Sequence, residues 1–416
     1  MSKNIVIFGG GVIANVANHT AISAPAYGKT ARTLADMFQA HPDCNLGVVT
    51  HLSRMASPTN YSFETVEDLQ AAINEVVEDL STKIVVLNCA IPNFVAASPL
   101  GLGDRIPTQE ALSLELVAAP KIVESIRKNQ RKDIHLVAFK TTTGATQAEM
   151  FEAGLKLMKR ASCNLVLVND QVTKMNLIVT PEEATYHVTT DREDVLWNLV
   201  DMAIRRSHLT FTRSTVVSDE GVPWDDARIP QNLREIVDSC IEQNAYKEGF
   251  AGSGVTVGHF ACKVDDTTFI TSKRKTDFRD LSKIGMVKIV TDGPDTVLAY
   301  GGKPSVGGQS QRIVFSEHAD TDCIVHFHCP LKEGHEHAIP VVSQRAYECG
   351  SHQCGENTSQ GLDEFVLEGD YSVKAVFLDQ HGPNIVFNRD VPSDLVIDFI
   401  QRNFDLKSKT DGHVSA

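Results

Sequence analysis

Basic residues are the minority charge in this chain. It holds 39 Lys and Arg against 53 Asp and Glu, a formal net charge of −14. That deficit argues against nucleic acid or an anionic membrane as the main partner, although a local basic pocket can still hold a small anion. Long apolar runs are absent too, and none approaches the ~20 residues of a membrane span. Met1-Ser2-Lys3-Asn4 leads straight into a short strand, not into the apolar core of a signal peptide. The nine cysteines form no paired framework. Cys89, Cys163, Cys240, Cys262 and Cys323 sit inside apolar segments, which suits a reducing cytoplasm. Cys349 and Cys354 lie in a Gly/Ser/Asn-rich loop as candidate extra metal ligands, but without the spacing of a zinc motif. What remains is ordinary globular composition, 42% hydrophobic and 22% charged over 416 residues. That suffices for two domains of about 200 residues each.

The densest chemistry is in Ile324-Val325-His326-Phe327-His328-Cys329-Pro330. Alternation along a strand turns His326 and His328 to one face. A third histidine, His381, stands where another apolar run, 375–378, meets the turn Asp379-Gln380-His381-Gly382-Pro383. Three neutral imidazoles from two strand ends, with one coordination position open, make a catalytic site of the zinc type.

The first half alternates. Strands are expected at 4–8, 46–50, 84–88, 134–139 and 164–168. Helices are expected from 28–29 on (Ala31, Leu34, Ala35 and Phe38 on one face) and at 66–80, 120–127, 147–159 and 197–204. This predicts an α/β, Rossmann-like, mostly parallel three-layer domain with ligands beyond the carboxyl ends of its strands. Those ends carry Gly9-Gly10-Gly11, Asn88-Cys89-Ala90, Phe139-Lys140-Thr141-Thr142-Thr143 and Asn169-Asp170. Gly9 to Ala14 fits a phosphate-binding turn, but 15–27 reads as a long loop before the helix, unlike a plain dinucleotide fingerprint.

Together these segments resemble the phosphopantothenate–cysteine ligase family over roughly 4–205. Gly9-Gly10-Gly11 resembles its opening Gly-Gly-Thr, and Ala26-Tyr27-Gly28-Lys29 stands at its Ser-Ser-Gly-basic segment. Asn88 through Phe94 resembles its Gly-Cys-Ala-Ala-Val-Ala-Asp-Tyr, Phe139 to Thr143 its Gly-Phe-x-x-Glu-Thr, and Asn169-Asp170 its Ala-Asn-Asp. The resemblance implies CTP or ATP bound by Gly9, Gly10, Gly11, Lys29, Ala90, Phe139, Lys140, Asn169 and Asp170. Lys29, Arg105 and Lys140 are the basic residues left to meet a phosphate. The chain departs from the pattern at Ala24, Asn93, 103–107, Ala118-Ala119 and Thr142. A retained fold and nucleotide-sized cleft are expected, with the ligase chemistry altered by these departures.

Residues 208–228 read as a linker after a first domain at 1–207. A helix follows Ile229-Pro230, with Leu233, Ile236, Val237 and Ile241 on one face, and then a glycine-rich stretch at 249–258. Strands at 261–264, 267–271, 286–290 and 296–300 come in runs, which argues α+β. This half, 229–405, resembles the class II aldolase family. Gly252-Ser253-Gly254-Val255-Thr256 stands at its Thr-Ser-Gly-Asn-Ile-Ser, Ile270-Thr271-Ser272 at its Ile-Thr-Pro-Ser-Gly, and Lys303-Pro304-Ser305 at its Lys-Pro-Ser-Ser-Glu. His326-Phe327-His328 and His381-Gly382 match its His-x-His and His-Gly.

The resemblance implies a divalent metal, most simply zinc, on His326, His328 and His381. It also implies a lyase reaction (aldolase, epimerase or dehydratase) through a metal-stabilised enediolate. Ser253, Gly254, Ser272, Lys273 and Ser305 would hold the phosphate of a phosphorylated or acidic sugar-like substrate, with Arg274 a further cation. Val255 and Val306 depart from the family's Asn and second Ser, and Gly307 stands where its acid/base Glu belongs. Glu317, Glu333, Glu336 and Glu348 are the nearby replacements, and Glu348 lies at the distance from the His pair used by the dehydratase type. His335 and His337 flank the site or a solvated loop. The tail, 406–416, is expected to be disordered. Both families imply a homo-oligomer, a dimer or tetramer. Two other readings stay open: a CTP- or ATP-dependent carboxylate–amine ligase, and a non-catalytic binding protein.

Overall fold

The computed structural model describes residues 3–98, 106–108, 111–128, 131–249, 252–293, 295–306 and 308–410. Two compact units divide the chain. The first comprises Met1–Pro181 and Tyr186–Ser207; the second comprises Glu182–Thr185 and His208–Ala416.

The first unit runs β1 (Asn4–Gly11), β2 (Ile13–Ala17), β3 (Thr20–Ser23), α1 (Lys29–Ala40), β4 (Gly47–Leu52), α2 (Val66–Glu78), β5 (Thr82–Ala90), β6 (Phe94–Ala96), β7 (Leu116–Ala118) and α3 (Ile122–Lys128). It continues with β8 (His135–Thr142), α4 (Gln147–Ala161), β9 (Leu165–Asp170), β10 (Asn176–Val179), β11 (Thr185–Thr189) and α5 (Arg192–Ser207). Its seven-stranded sheet has the order β11-β10-β9-β8-β5-β1-β4. The pairs β1/β4, β1/β5, β5/β8 and β8/β9 are parallel and β10 runs antiparallel to β9. Both α4 and α5 pack on β9 and β10, while α4 also packs on α3 and α5 on α1. Two separate helical layers over the same strands are what a buried parallel sheet requires.

Two local readings change here. Gly9, Gly10 and Gly11 do not form a free turn; β1 continues through them, pairing with Asn88, Cys89 and Ala90. A Cβ on Gly9 would stand 2.2 Å from Ala31 Cβ, so this glycine lets α1 close on the sheet. Nor is 15–27 one long loop: β2 and β3 form a hairpin around Asn18-His19, with Ala14 and Val16 buried.

The second unit runs β12 (Arg213–Val217), α6 (Gln231–Glu242), β13 (His259–Lys263), β14 (Thr268–Thr271), α7 (Leu281–Ile284), β15 (Val287–Thr291), β16 (Thr296–Tyr300) and α8 (Gly308–Glu317). It ends with β17 (Cys323–His326), β18 (Val341–Val342), α9 (His352–Gly361), β19 (Asp363–Val366), β20 (Ser372–Leu378), β21 (Gly382–Phe387) and α10 (Ser393–Asn403). The ten-stranded sheet has the order β12-β16-β15-β14-β13-β17-β21-β20-β18, with β19 on β20. It is antiparallel at its centre and parallel at β12/β16 and β18/β20. Residues 208–228 are therefore not a plain linker. The β-branched Thr215-Val216-Val217 supplies an edge strand, and buried Val222 pairs with Met286.

Candidate metal centre

Three central strands meet at the site. His326 ends β17 and stands in register with His259 of β13 and with Asn384 of β21. His328 follows two residues on. His381 lies in the turn from β20 to β21, where Gln380 takes φ 56° and Gly382 φ 144°. A Cβ on Gly382 would fall 2.1 Å from Phe327 O. Only glycine lets that turn close on the backbone between His326 and His328, and this brings His381 to them.

The three rings are buried, at 1%, 7% and 3% exposure for His326, His328 and His381. Each offers a ring nitrogen, and the three nitrogens lie within 4.8 Å of one another. His326 Nδ1 is 2.8 Å from Pro383 O. A carbonyl only accepts, so Nδ1 carries the proton and Nε2 presents a lone pair. That Nε2 stands 3.3 Å from His381 Nε2. Two imidazole nitrogens so close, out of water, need a proton or a cation between them. Burial lowers the His326 pKa to about 4, only partly offset by Pro383, so the ring is neutral and able to ligate at neutral pH. Three buried imidazoles, that of His326 neutral with Nδ1 fixed by a carbonyl, are consistent with a divalent metal site.

His259 was not foreseen. It is buried, and its ring stacks on His326 at 4.6 Å between centroids. Its Nδ1 lies 2.6 Å from Gln311 Nε2, and Gln311 Oε1 accepts from Thr271 Oγ1 at 2.7 Å. This chain connects the floor of the histidine cluster to the segment carrying Ser272. The signal was slight: extending the strand at 261–264 back by two residues puts His259 on the face of Ala261.

The expected anion-binding residues divide. Ser305 N–H donates to Ser272 O (2.9 Å), Arg274 N–H to Lys303 O (2.9 Å), and Lys273 bridges Pro304. Ser272, Lys273 and Ser305 are thus brought side by side. The Ser272 hydroxyl is fully buried and has no hydrogen-bond partner among the described residues. Ser253, in contrast, closes its own turn through Val255, beside Gly254 at φ 61°. Glu348 lies in the loop whose Gly350 abuts Val306, since a Cβ there would stand 2.6 Å from Val306 O. Gly307 and Arg105 fall outside the described residues. Glu336 accepts from Gly334 N–H within its own turn, His335 meets Asn403 Oδ1 at 3.3 Å, and His337 is exposed. The buried Cys354 thiol meets the Gln344 amide, and burial raises its pKa to about 11.

In the first unit the ends of β9, β8, β5 and β1 lie side by side, which lines up Asn169, Lys140, Ala90 and Gly9 to Gly11 along one sheet edge. Lys29 opens α1 and is exposed, as is Lys140. Phe139 lies under the Arg192 guanidinium at 5.9 Å. Asp170 is turned inward. Its carboxylate accepts from the N–H groups of Gly144, Ala145, Val172 and Thr173 and from the hydroxyls of Thr142 and Thr173. Burial would raise its pKa, but the bonds from Thr173, Ala145, Thr142 and Val172 outweigh it and hold the carboxyl far below its ordinary value. The residue pins two loops together.

Comparison with known families accounts for both units. Residues 1–202 match the model of the DNA/pantothenate metabolism flavoprotein C-terminal domain, and 240–392 that of the Class II Aldolase and Adducin N-terminal domain. Over 106 residues the chain is 32% identical to the coenzyme A biosynthesis bifunctional protein CoaBC of Thermococcus kodakarensis, a match covering 26% of either chain. It therefore spans about a quarter of that relative's length. Among solved structures, the DNA/pantothenate metabolism flavoprotein from Streptococcus pneumoniae is 17% identical with a TM-score of 0.40, covering 48% of this chain and 97% of that one. An L-fuculose 1-phosphate aldolase is 18% identical with a TM-score of 0.30, covering 41% and 80%. No helix among the described residues is long and apolar enough to cross a membrane. The chain thus joins a domain of the DNA/pantothenate metabolism flavoprotein C-terminal family to a domain of the class II aldolase and adducin family.

Proposed function

We propose that the second unit is a metal-dependent lyase of the aldolase, epimerase or dehydratase type, acting on a phosphorylated or acidic sugar-like substrate. The observation that carries this is the buried triad His326, His328 and His381, with nitrogens within 4.8 Å of one another and His326 fixed by Pro383 O. A divalent ion there, zinc by its donor set, supplies Lewis acidity toward a carbonyl oxygen. The chain's own residues do the rest. The adjoining Ser272–Arg274 and Lys303–Ser305 segments offer hydroxyls and cations to an anionic group. Glu348 is the acid/base of this reading, from a loop that abuts Val306. The protein works as a homo-oligomer in the cytoplasm, on a small molecule and not on nucleic acid.

The test is metal content of the purified chain beside His326→Ala/His328→Ala. The expected result is about one ion per chain, lost in the double variant. A metal-free wild-type chain, even after reloading, would sink the lyase reading. A second reading, a CTP- or ATP-dependent carboxylate–amine ligase, is supported by the family match over 1–202 and the alignment of Gly9 to Gly11, Ala90, Lys140 and Asn169. It predicts a thermal shift with CTP or ATP that Lys140→Ala and Lys29→Ala reduce.

A further inference from the structure

The start of the tail, expected to be disordered, is tied down beside the histidines. Lys332 N–H donates to Asn403 O at 2.8 Å, Asp405 N–H to Pro330 O at 2.9 Å and Thr410 N–H to His328 O at 3.2 Å. The segment therefore runs antiparallel to the chain that leaves β17. Its own turn is braced, because the Asp405 carboxylate accepts from Lys407 N–H and from the Ser408 hydroxyl. The Lys247 ammonium donates to Leu406 O at 2.6 Å.

At the end of this strap, Thr410 reaches two metal-site residues at once. Its amide holds His328 O and its hydroxyl donates to His381 O at 2.5 Å. His328 follows β17 and His381 lies in the turn from β20 to β21, which has positive φ at Gln380 and Gly382. One residue therefore sets the spacing of two backbones that must agree for their imidazoles to share an ion. The neighbouring Lys409 anchors the strap. Its ammonium, on a side chain 14% exposed, meets Glu183 Oε2 at 3.2 Å and Gly249 O at 2.9 Å. Glu183 belongs to the second unit and its side chain is 3% exposed.

We infer that Thr410 is a positioning residue of the metal centre, held in place by the Lys409–Glu183 ion pair. Its two hydrogen bonds pre-set the distance between His328 and His381, so the ion binds an already ordered site. This inference rests on the metal reading of the triad. Groups that orient ligand residues are worth roughly 10- to 100-fold in metal affinity when removed.

The experiment measures zinc affinity by chelator competition, and the visible absorption of the cobalt-loaded protein, on the full chain. Thr410→Val should bind zinc about tenfold or more weakly, with an altered cobalt spectrum, while the melting temperature of the metal-free protein barely moves. Thr410→Ser, which keeps the hydroxyl, should restore both. Lys409→Met, which keeps the Thr410 side chain but removes the ion pair that anchors it, should bind several-fold more weakly and guards against a misfolded valine variant. Wild-type affinity and spectrum in Thr410→Val, or in Lys409→Met if the valine variant does not fold, overturn the inference alone. A wild-type chain that takes up neither ion overturns the metal reading and the inference with it.

Discussion

Compared with Gly258, the other described glycine packed against the histidine segment, Gly382 has less room for a side chain. A methyl group there would meet the carbonyl of Phe327 at 2.1 Å, and φ 144° disfavours any side chain. The obstacle is backbone, between His326 and His328, so it cannot turn aside as a flexible side chain could. Gly382→Ala should cost roughly 2–4 kcal/mol in the metal-free protein and weaken metal uptake, read by urea denaturation and metal content. A wild-type denaturation midpoint would show that the turn closes in another way. Gln311 is the second case. Its amide is the hydrogen-bond partner of the His259 ring, whose pKa burial and His326 hold well below the ordinary 6.5. Gln311→Met keeps the volume but strands a buried nitrogen, and should cost about 1–3 kcal/mol. An unchanged midpoint would mean that the amide does not hold the ring. The triad was legible because its residues announce themselves locally, as His-x-His and His-Gly at the ends of apolar runs. His259 was not, because nothing beside it in sequence tells that β13 pairs with β17 in a register that stacks its ring on His326.

At the level of elements, the alternating strands and helices of the first half follow from their apolar periodicity, and α2 and α4 carry the capping boxes Thr65/Asp68 and Thr146/Glu149. The hairpin of β2 and β3 escaped the reading because Ala, Asn and Ser mask a two-residue alternation. The bonds of 406–410 escaped because polar composition does not reveal bonds to distant carbonyls; 411–416 lie outside the described residues. One element carries a pH dependence. His135 opens β8 with Nε2 buried and without a partner among the described residues. Burial first, then the charges of Arg206, Arg127 and Lys83, hold its pKa well below 6.5. The unfolded chain takes up a proton there as the pH falls through about 6.5, while the fold refuses it. Its contribution is thus fully present above that pH and is lost as the pH falls toward the depressed folded value. Urea midpoints of the first unit, followed by Trp197 fluorescence in a Trp224→Phe background, should drop between pH 7.5 and about 5. His135→Leu should flatten that slope, and an equal slope in the variant would place the acid sensitivity elsewhere.

For the whole molecule, the two units carry different candidate sites, the sheet edge with Lys140 and Asn169 in one and the His326, His328 and His381 cluster in the other. Each has its own buried apolar residues, among them Ile5, Phe8, Leu34 and Val86 in the first and Leu233, Phe260 and Phe327 in the second, so each can unfold as its own cooperative transition. A ligand that binds only the folded form stabilises by a term that grows with the logarithm of its concentration, about 2.7 kcal/mol at a hundredfold excess over Kd. For a unit of this size that is roughly 5–11 °C in melting temperature. Calorimetry of the full chain should therefore resolve one transition that zinc raises by this amount and one that it leaves in place. In His326→Ala/His328→Ala neither should move. If zinc raised both transitions together in the wild-type chain, the units would be unfolding as one cooperative body and the separation of their candidate sites would not extend to their stability. If zinc moved only the transition of the first unit, the histidine cluster would not be the principal metal site.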